Sequence, residues 1–347
     1  MQHRIYFCLH ILNRTSTRIY RINFQVGPPL KSAVRILVVA DAADPALRAR
    51  LLDPARLQRY DALALRVRRG MGERPGERRV PGRPQPSGIE IESHGAYTPG
   101  DDLRHLDWNA LGRLDALLVR RFTAEREVVA HLLLDASASL AVPAGDDKMG
   151  TACELAMALA YTALNAGDAV RLVILDGETD PGTAVPPFRQ RAGVARVADR
   201  LARVRPAGRV DLAAAVERHV ARHPAPGLAL LISDFLMQPQ AVERAVRALS
   251  GRGYETHLLH VVGAGELDPT RVFSRGMLVD VESAARRPIA LTAATLARYQ
   301  AVLAAHLDAL RALADRFEAG YARLVAGGDV AALLTGPLAR VGLVRRR

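Results

Sequence analysis

From residue 128 onward the chain alternates between two kinds of segment, and that alternation limits the folds it can adopt. Short apolar runs occur at Val128–Leu134, Ala169–Leu175, Leu228–Ile232 and Glu255–Val262. Helix-length stretches lie between them, at Thr151–Asn165, Val194–Val204, Leu212–His223 and Gln240–Ser250. Strands that are apolar on both faces and joined through helices belong to parallel sheets with helices on each side. The predicted fold class is therefore α/β, a mostly parallel sheet flanked by helices. Such sheets bind ligands beyond the carboxyl ends of their strands. Function is therefore sought first in the residues that follow each apolar run.

Two of these runs end in acids. Val128–Leu134 leads into Asp135-Ala-Ser-Ala-Ser139, and Leu228–Ile232 leads into Ser233 and Asp234. If the two strands are neighbours, Asp135, Ser137, Ser139 and Asp234 converge at one rim. Carboxylate and hydroxyl oxygens suit a hard divalent cation, Mg2+ or Mn2+. A plainer reading stands beside it, because Asp and Ser are favoured in turns and as helix caps. The second acidic strand end favours the cation.

Composition narrows the class. Of 347 residues, 49% are hydrophobic and 24% charged, as in soluble globular proteins. No run approaches the roughly 20 apolar residues of a membrane-spanning helix. Two distant cysteines, Cys8 and Cys153, exclude a disulfide framework or a multi-cysteine zinc site and point to the cytoplasm. The net charge is +12, and Lys31 and Lys148 are the only lysines among 48 basic residues. A basic surface raises nucleic-acid binding as an alternative. No helix-turn-helix, zinc or aromatic-stacking signature accompanies the charge. There is no Gly-x-x-x-x-Gly-Lys-Ser/Thr loop for ATP. His219 and His223 have the helical spacing of a zinc pair but no evident third ligand, so they read as a helix-surface pair.

A second block lies upstream, Tyr97-Thr-Pro-Gly-Asp-Asp-Leu-Arg-His-Leu-Asp-Trp108, followed by Arg113. Pro99-Gly100-Asp101 forms a tight turn. Arg104 is placed to pair with Asp101, and Trp108 is expected to anchor the segment to a core. Read as paired acids, Asp101, Asp102 and Asp107 offer a rival function, a metal-dependent hydrolase. No nucleophile and base support it.

Four segments are expected. Residues 1–45 form an N-terminal extension, free of acids as far as about residue 33 and read as translated upstream sequence. Residues 46–127 carry the Gly-Asp-Asp/Trp block, with a helix over Ala46–Arg69 and an exposed Gly/Pro/Arg-rich connector over 70–88. Residues 128–265 hold the sheet. Residues 266–347 read as largely helical, with one or two amphipathic helices over Ala293–Ala326.

The Asp-x-Ser-x-Ser pattern after an apolar strand resembles the metal-ion-dependent adhesion site of von Willebrand factor A-type domains. That resemblance implies Mg2+ held by the two serines, a second-loop threonine and aspartates, with one position open to a partner's carboxylate. Here Gly208-Arg-Val-Asp-Leu212 places Val210 where the threonine would stand, with Asp211 left to assist through water or to cap a helix. Joined to the upstream block, the pattern closely resembles the bacterial family catalogued as domain of unknown function 58. Tyr97, Gly100, Asp101, Asp102, Arg104, Asp107, Trp108 and Arg113 match its hallmark, while Gly95 departs from it. The resemblance implies a non-enzymatic module that works in the cytoplasm with a MoxR-type AAA+ ATPase or its client, in chaperone-like or complex-maturation work. The Tyr97–Trp108 block would then brace the N-terminal segment against the sheet.

Overall fold

The computed structural model describes residues 6–13, 16–23, 43–66, 90–98, 103, 106–123, 129–143, 145–176, 186–272, 274–279 and 286–347. They divide into two compact units, residues 73–127 and the remainder.

The larger unit begins with an antiparallel hairpin of β1 (Tyr6–Asn13) and β2 (Ser16–Asn23). Two short helices follow, α1 (Pro45–Leu51) and α2 (Pro54–Gln58). Each opens on a proline behind an aspartate, Asp44 or Asp53, whose side chain accepts from the first-turn amides. The single helix expected over 46–69 is thus split by its second Asp-Pro pair. It gives way to a strand, β3 (Leu63–Leu65), whose three residues are all buried. The smaller unit contains β4 (Glu90–Ala96), α3 (Trp108–Leu114) and β5 (Leu118–Thr123), with β4 and β5 paired antiparallel.

The predicted alternation then appears in order: β6 (Val129–Asp135), α4 (Lys148–Ala166), β7 (Ala169–Leu175), α5 (Gly193–Leu201), α6 (Leu212–Arg222), β8 (Leu228–Ser233), α7 (Pro239–Ser250) and β9 (Glu255–Val262). Next come α8 (Ala264–Leu267), β10 (Arg275–Val279), β11 (Arg286–Ala290), α9 (Ala293–Arg316), β12 (Gly320–Val325), α10 (Val330–Thr335), α11 (Pro337–Arg340) and β13 (Val344–Arg346). The main sheet has the order β12-β9-β8-β6-β7, parallel throughout. Its fifth strand, β12, comes from the segment read as helical. Gly320 opens it because a Cβ there would lie 2.1 Å from His257 Nδ1 on β9. β10 joins β2 and β11 in a separate sheet, and β13 pairs with β3.

Alternate residues of β6 enter different cores. Leu132 and Leu134 pack with α4, α5 and α10, whereas Leu133 packs with α6, α7 and α9. Both faces of the sheet are therefore dry, which explains the uninterrupted apolar runs. β6 leads to β7 on one side, and the chain later returns to β8 on the other. This reversal is the switch point at which open α/β sheets open a crevice.

At the sheet's amino edge, His219 is buried rather than on the helix surface. Its Nε2 lies 2.9 Å from Nδ1 of His131 on β6, and both rings pack on Tyr254. Burial pushes His131 down to about 2 and His219 down to about 3, helped by neighbouring histidines and Arg171. Both rings stay neutral in the fold, whereas in the unfolded chain they protonate below about pH 6.5. The unfolded state then binds more protons, so stability falls as pH drops from about 6.5 toward 3. Each ring contributes up to about 1.4 kcal/mol per pH unit. Urea midpoints measured between pH 7 and 4 should flatten in a His131→Asn/His219→Gln variant relative to wild type. Parallel pH profiles would show that the pair is not responsible.

Candidate metal and partner-binding site

The switch point places the predicted acids together. β6 and β8 run in parallel register with Leu134 opposite Ile232, so Asp135 and Ser233 end their strands at the same level. Ser233 Oγ donates to Asp135 Oδ2 at 2.6 Å and accepts the Phe235 amide at 2.9 Å. The other oxygen of Asp135 accepts the Ser137 amide at 2.8 Å, closing a turn that projects both serines. Ser137 and Ser139 Oγ atoms share a hydrogen bond at 2.9 Å. Asp135 and Asp234 are fully buried, and Ser137 and Ser139 are nearly so.

Asp234 is held by other groups. Its Oδ1 accepts the Leu236 amide at 3.2 Å, and its Oδ2 accepts Lys148 Nζ at 2.8 Å. Lys148, the first residue of α4, also donates to Glu266 Oε1 at 2.5 Å. The second oxygen of Glu266 accepts the Gly263 amide at 2.8 Å. Helix α9 ties both loops down from behind. Tyr299 OH donates to the Glu266 carbonyl, and His306 Nε2 lies 3.0 Å from the Phe235 carbonyl. Phe235 has φ of +47°, a left-handed conformation unusual for a bulky residue, and the surrounding bonds hold it there.

The electrostatics follow from burial. Asp135 is pushed up to about 6 by desolvation and by the charge of Asp234, against the hydrogen bonds from Ser233 and Ser137. Burial also acts on Asp234, but the Lys148 ammonium and the Ser139 hydroxyl outweigh it and hold that carboxyl below its ordinary value. Burial raises Glu266 to about 7. Asp234 and Glu266 thus share one ammonium, and Asp135 is bonded by Ser233 and the Ser137 amide.

The second loop is joined to the first through backbone groups. Ala138 N donates to Gly208 O at 3.0 Å, and Ala207 N to Ala136 O at 2.9 Å. Val210 is buried in the α6–α7 core. Asp211 caps α6 through the Ala214 amide at 3.0 Å and is exposed.

The donor set partly fits a divalent ion. A six-coordinate Mg2+ with ligands at about 2.0–2.1 Å sets adjacent oxygens roughly 2.9 Å apart, which matches the Ser137–Ser139 spacing. Asp135, the buried carboxylate not bonded to Lys148, favours a cation beside it. Among the described residues no three His, Cys, Asp or Glu side chains form a metal cage. An ion here would accordingly rest on two hydroxyls and two carboxylates.

The upstream block is only partly described. Gly100, Asp101, Asp102 and Arg104 lie outside the described residues, and so does the expected Asp101–Arg104 pair. Asp107 caps α3 through the Asn109 and Ala110 amides. Trp108 is 66% exposed rather than sunk in a core, and Leu103, Leu114 and Leu117 are exposed with it. Tyr97 is partly buried and Arg113 exposed. Of the functional residues, Ser233, Lys148 and Glu266 escaped sequence reasoning. A signal was available for Lys148, since a lysine is rare in a chain that otherwise uses arginine.

The parallel α/β sheet carries an Asp-x-Ser-x-Ser turn and a second acidic strand end at its switch point, the arrangement expected of a von Willebrand A-like domain. The chain belongs to the family described as "Protein of unknown function DUF58", whose model matches residues 93–306. It is 31% identical over 246 residues to the uncharacterized protein Rv1480 of Mycobacterium tuberculosis, spanning 68% of this chain and 69% of that one. The uncharacterized protein Mb1516 of Mycobacterium bovis matches to the same extent, 31% over 246 residues with the same coverage. Among solved structures it is similar to the conserved hypothetical protein BatB of Bacteroides thetaiotaomicron, with a TM-score of 0.37 and 12% identity over 62% of this chain and 98% of that chain. A von Willebrand factor type A protein of Catenulispora acidiphila gives a TM-score of 0.35 and 17% identity, over 64% of this chain and 43% of that chain.

Removing the Ser233 hydroxyl should strip a charge-assisted bond from Asp135 and orphan the Phe235 amide. We expect Ser233→Ala to lose about 2–3 kcal/mol in urea unfolding. A loss below about 0.5 kcal/mol would mean that this hydroxyl does not organise the rim.

Proposed function

We propose that the chain is a non-enzymatic interaction module that docks an acidic side chain of a partner at the rim formed by Asp135, Ser137, Ser139 and Asp234, assisted by Mg2+ or Mn2+. The observation that carries this reading is the Ser137–Ser139 hydroxyl pair, 2.9 Å apart beside two buried aspartates. Ser137 and Ser139 would hold the ion, with Asp135 and Asp234 supplying the compensating charge. Hydroxyl ligands leave the metal's charge only partly neutralised, so the bound ion would attract a carboxylate. Membership of the family supports a MoxR-type AAA+ ATPase or its client as the partner class. Of the acids Asp101, Asp102 and Asp107, the first two lie outside the described residues. Asp107 caps a helix, and burial pushes the Cys153 thiol up to about 12, out of nucleophile range. No helix among the described residues is long and apolar enough to cross a membrane.

Calorimetric titration of metal-stripped protein with Mg2+ and Mn2+ tests the site. Wild type should bind one equivalent, and Asp135→Ala should abolish binding. A wild type that takes up no ion defeats the metal reading. Binding of a purified MoxR-type ATPase that Asp135→Ala leaves intact would remove the partner from this rim.

A further inference from the structure

Lys148 is the least expected side chain in the protein. It is fully buried, as are Asp234 and, within 2%, Glu266. It sits in the first turn of α4, the end of a helix where a cation is disfavoured by the backbone dipole. Burying an ammonium is expensive unless carboxylates meet it with good geometry. Here two do, at 2.8 and 2.5 Å. Position 148 keeps one of only two lysines in a chain whose other basic residues are all arginine. A compact ammonium can donate to converging carboxylates in a closed space, whereas a planar guanidinium needs a broader, fork-shaped site.

Bonds between protein groups join the loops of the rim. The first two loops are joined by the backbone bonds of Ala138 to Gly208 and Ala207 to Ala136. The second loop turns Val210 into the core. The Asp234 loop and the Gly263–Glu266 turn meet at Lys148. Asp146 adds a further tie by accepting the Gly265 amide at 2.9 Å.

We propose that the Lys148 ammonium is the resident cation of this site. It is a positioning residue that fixes the Asp234 loop against the Gly263–Glu266 turn, so that the rim is ordered without a divalent ion. A metal that binds addresses the Ser137 and Ser139 side and does not build the site. This assignment stands whether or not the chain binds metal, and calorimetry and the measurement below fail separately.

The test is hydrogen exchange by mass spectrometry on the full chain, in EDTA and in Mg2+, with site resolution at Phe235, Leu236 and Gly263. Their amides donate to Ser233 Oγ, Asp234 Oδ1 and Glu266 Oε2. In wild type their protection should agree within about twofold between the two buffers, and in Lys148→Met in EDTA they should exchange at least about tenfold faster, while β7 amides hold. If Lys148→Met does not fold, the same chain carrying Asp234→Asn and Glu266→Gln should fold again, because the uncompensated charges are gone. Three results would overturn the proposal: wild-type amides that lose protection in EDTA, Lys148→Met amides that keep it, or an unfolded Lys148→Met that neutralisation does not rescue.

Discussion

The contact of one buried ammonium with two buried carboxylates governs the architecture of the rim. Lys148 brings together the start of α4, the loop after β8 and the turn after β9. Removing one member of such a group leaves the others charged in a dry site, at a cost of about 3–5 kcal/mol. Helix α9 adds a second clamp through Tyr299 and His306, which hold the same two loops by backbone carbonyls. The carboxyl edge of the sheet is therefore rigid for reasons that lie beneath its surface.

On that rigid base the front of the rim is differently made. Asp135 is braced by Ser233 and by the Ser137 amide. The Ser137 and Ser139 hydroxyls share a hydrogen bond, and backbone bonds of Ala138 and Ala136 join their turn to the second loop. Asp135 and Asp234 thereby take different roles despite equal burial. Asp234 is held below its ordinary value by Lys148, while Asp135 is pushed up by burial and then by the neighbouring charge. An incoming cation would meet the carboxylate that lacks an ammonium of its own. This division of labour separates holding the site together from binding at it.

Much of the fold could be read from the sequence because a sheet covered on both faces writes itself as continuous apolar runs. β6, β7, β8 and β9 fall within a residue or so of the predicted runs. Asp135 and Asp234 were legible as strand ends. Elements with weaker patterns were not. β12 follows a long Ala-rich helix, and Gly320-Tyr-Ala-Arg-Leu-Val325 reads as its continuation until β9 supplies a partner. Leu63–Leu65 looks helical by spacing, yet pairing with Val344–Arg346 makes it a strand. Both are decided by residues distant in sequence. His219 looked like one half of a surface pair because its partner, His131, is on another element. Lys148 stayed hidden for a similar reason. A lysine at a helix start ordinarily points to solvent, and only the distant Asp234 and Glu266 make burial tolerable. Trp108 shows the opposite error, since a large aromatic is usually a core residue and here it is exposed.

The central claim is that binding at the rim and its construction use different cations. Diffraction at the manganese absorption edge, from crystals of the full chain grown with Mn2+, tests it most directly. The account predicts an anomalous peak within bonding distance of Ser137 and Ser139 Oγ, with Lys148 Nζ still on Asp234 and Glu266. A peak at Lys148's place, with its ammonium displaced from Asp234, would contradict it.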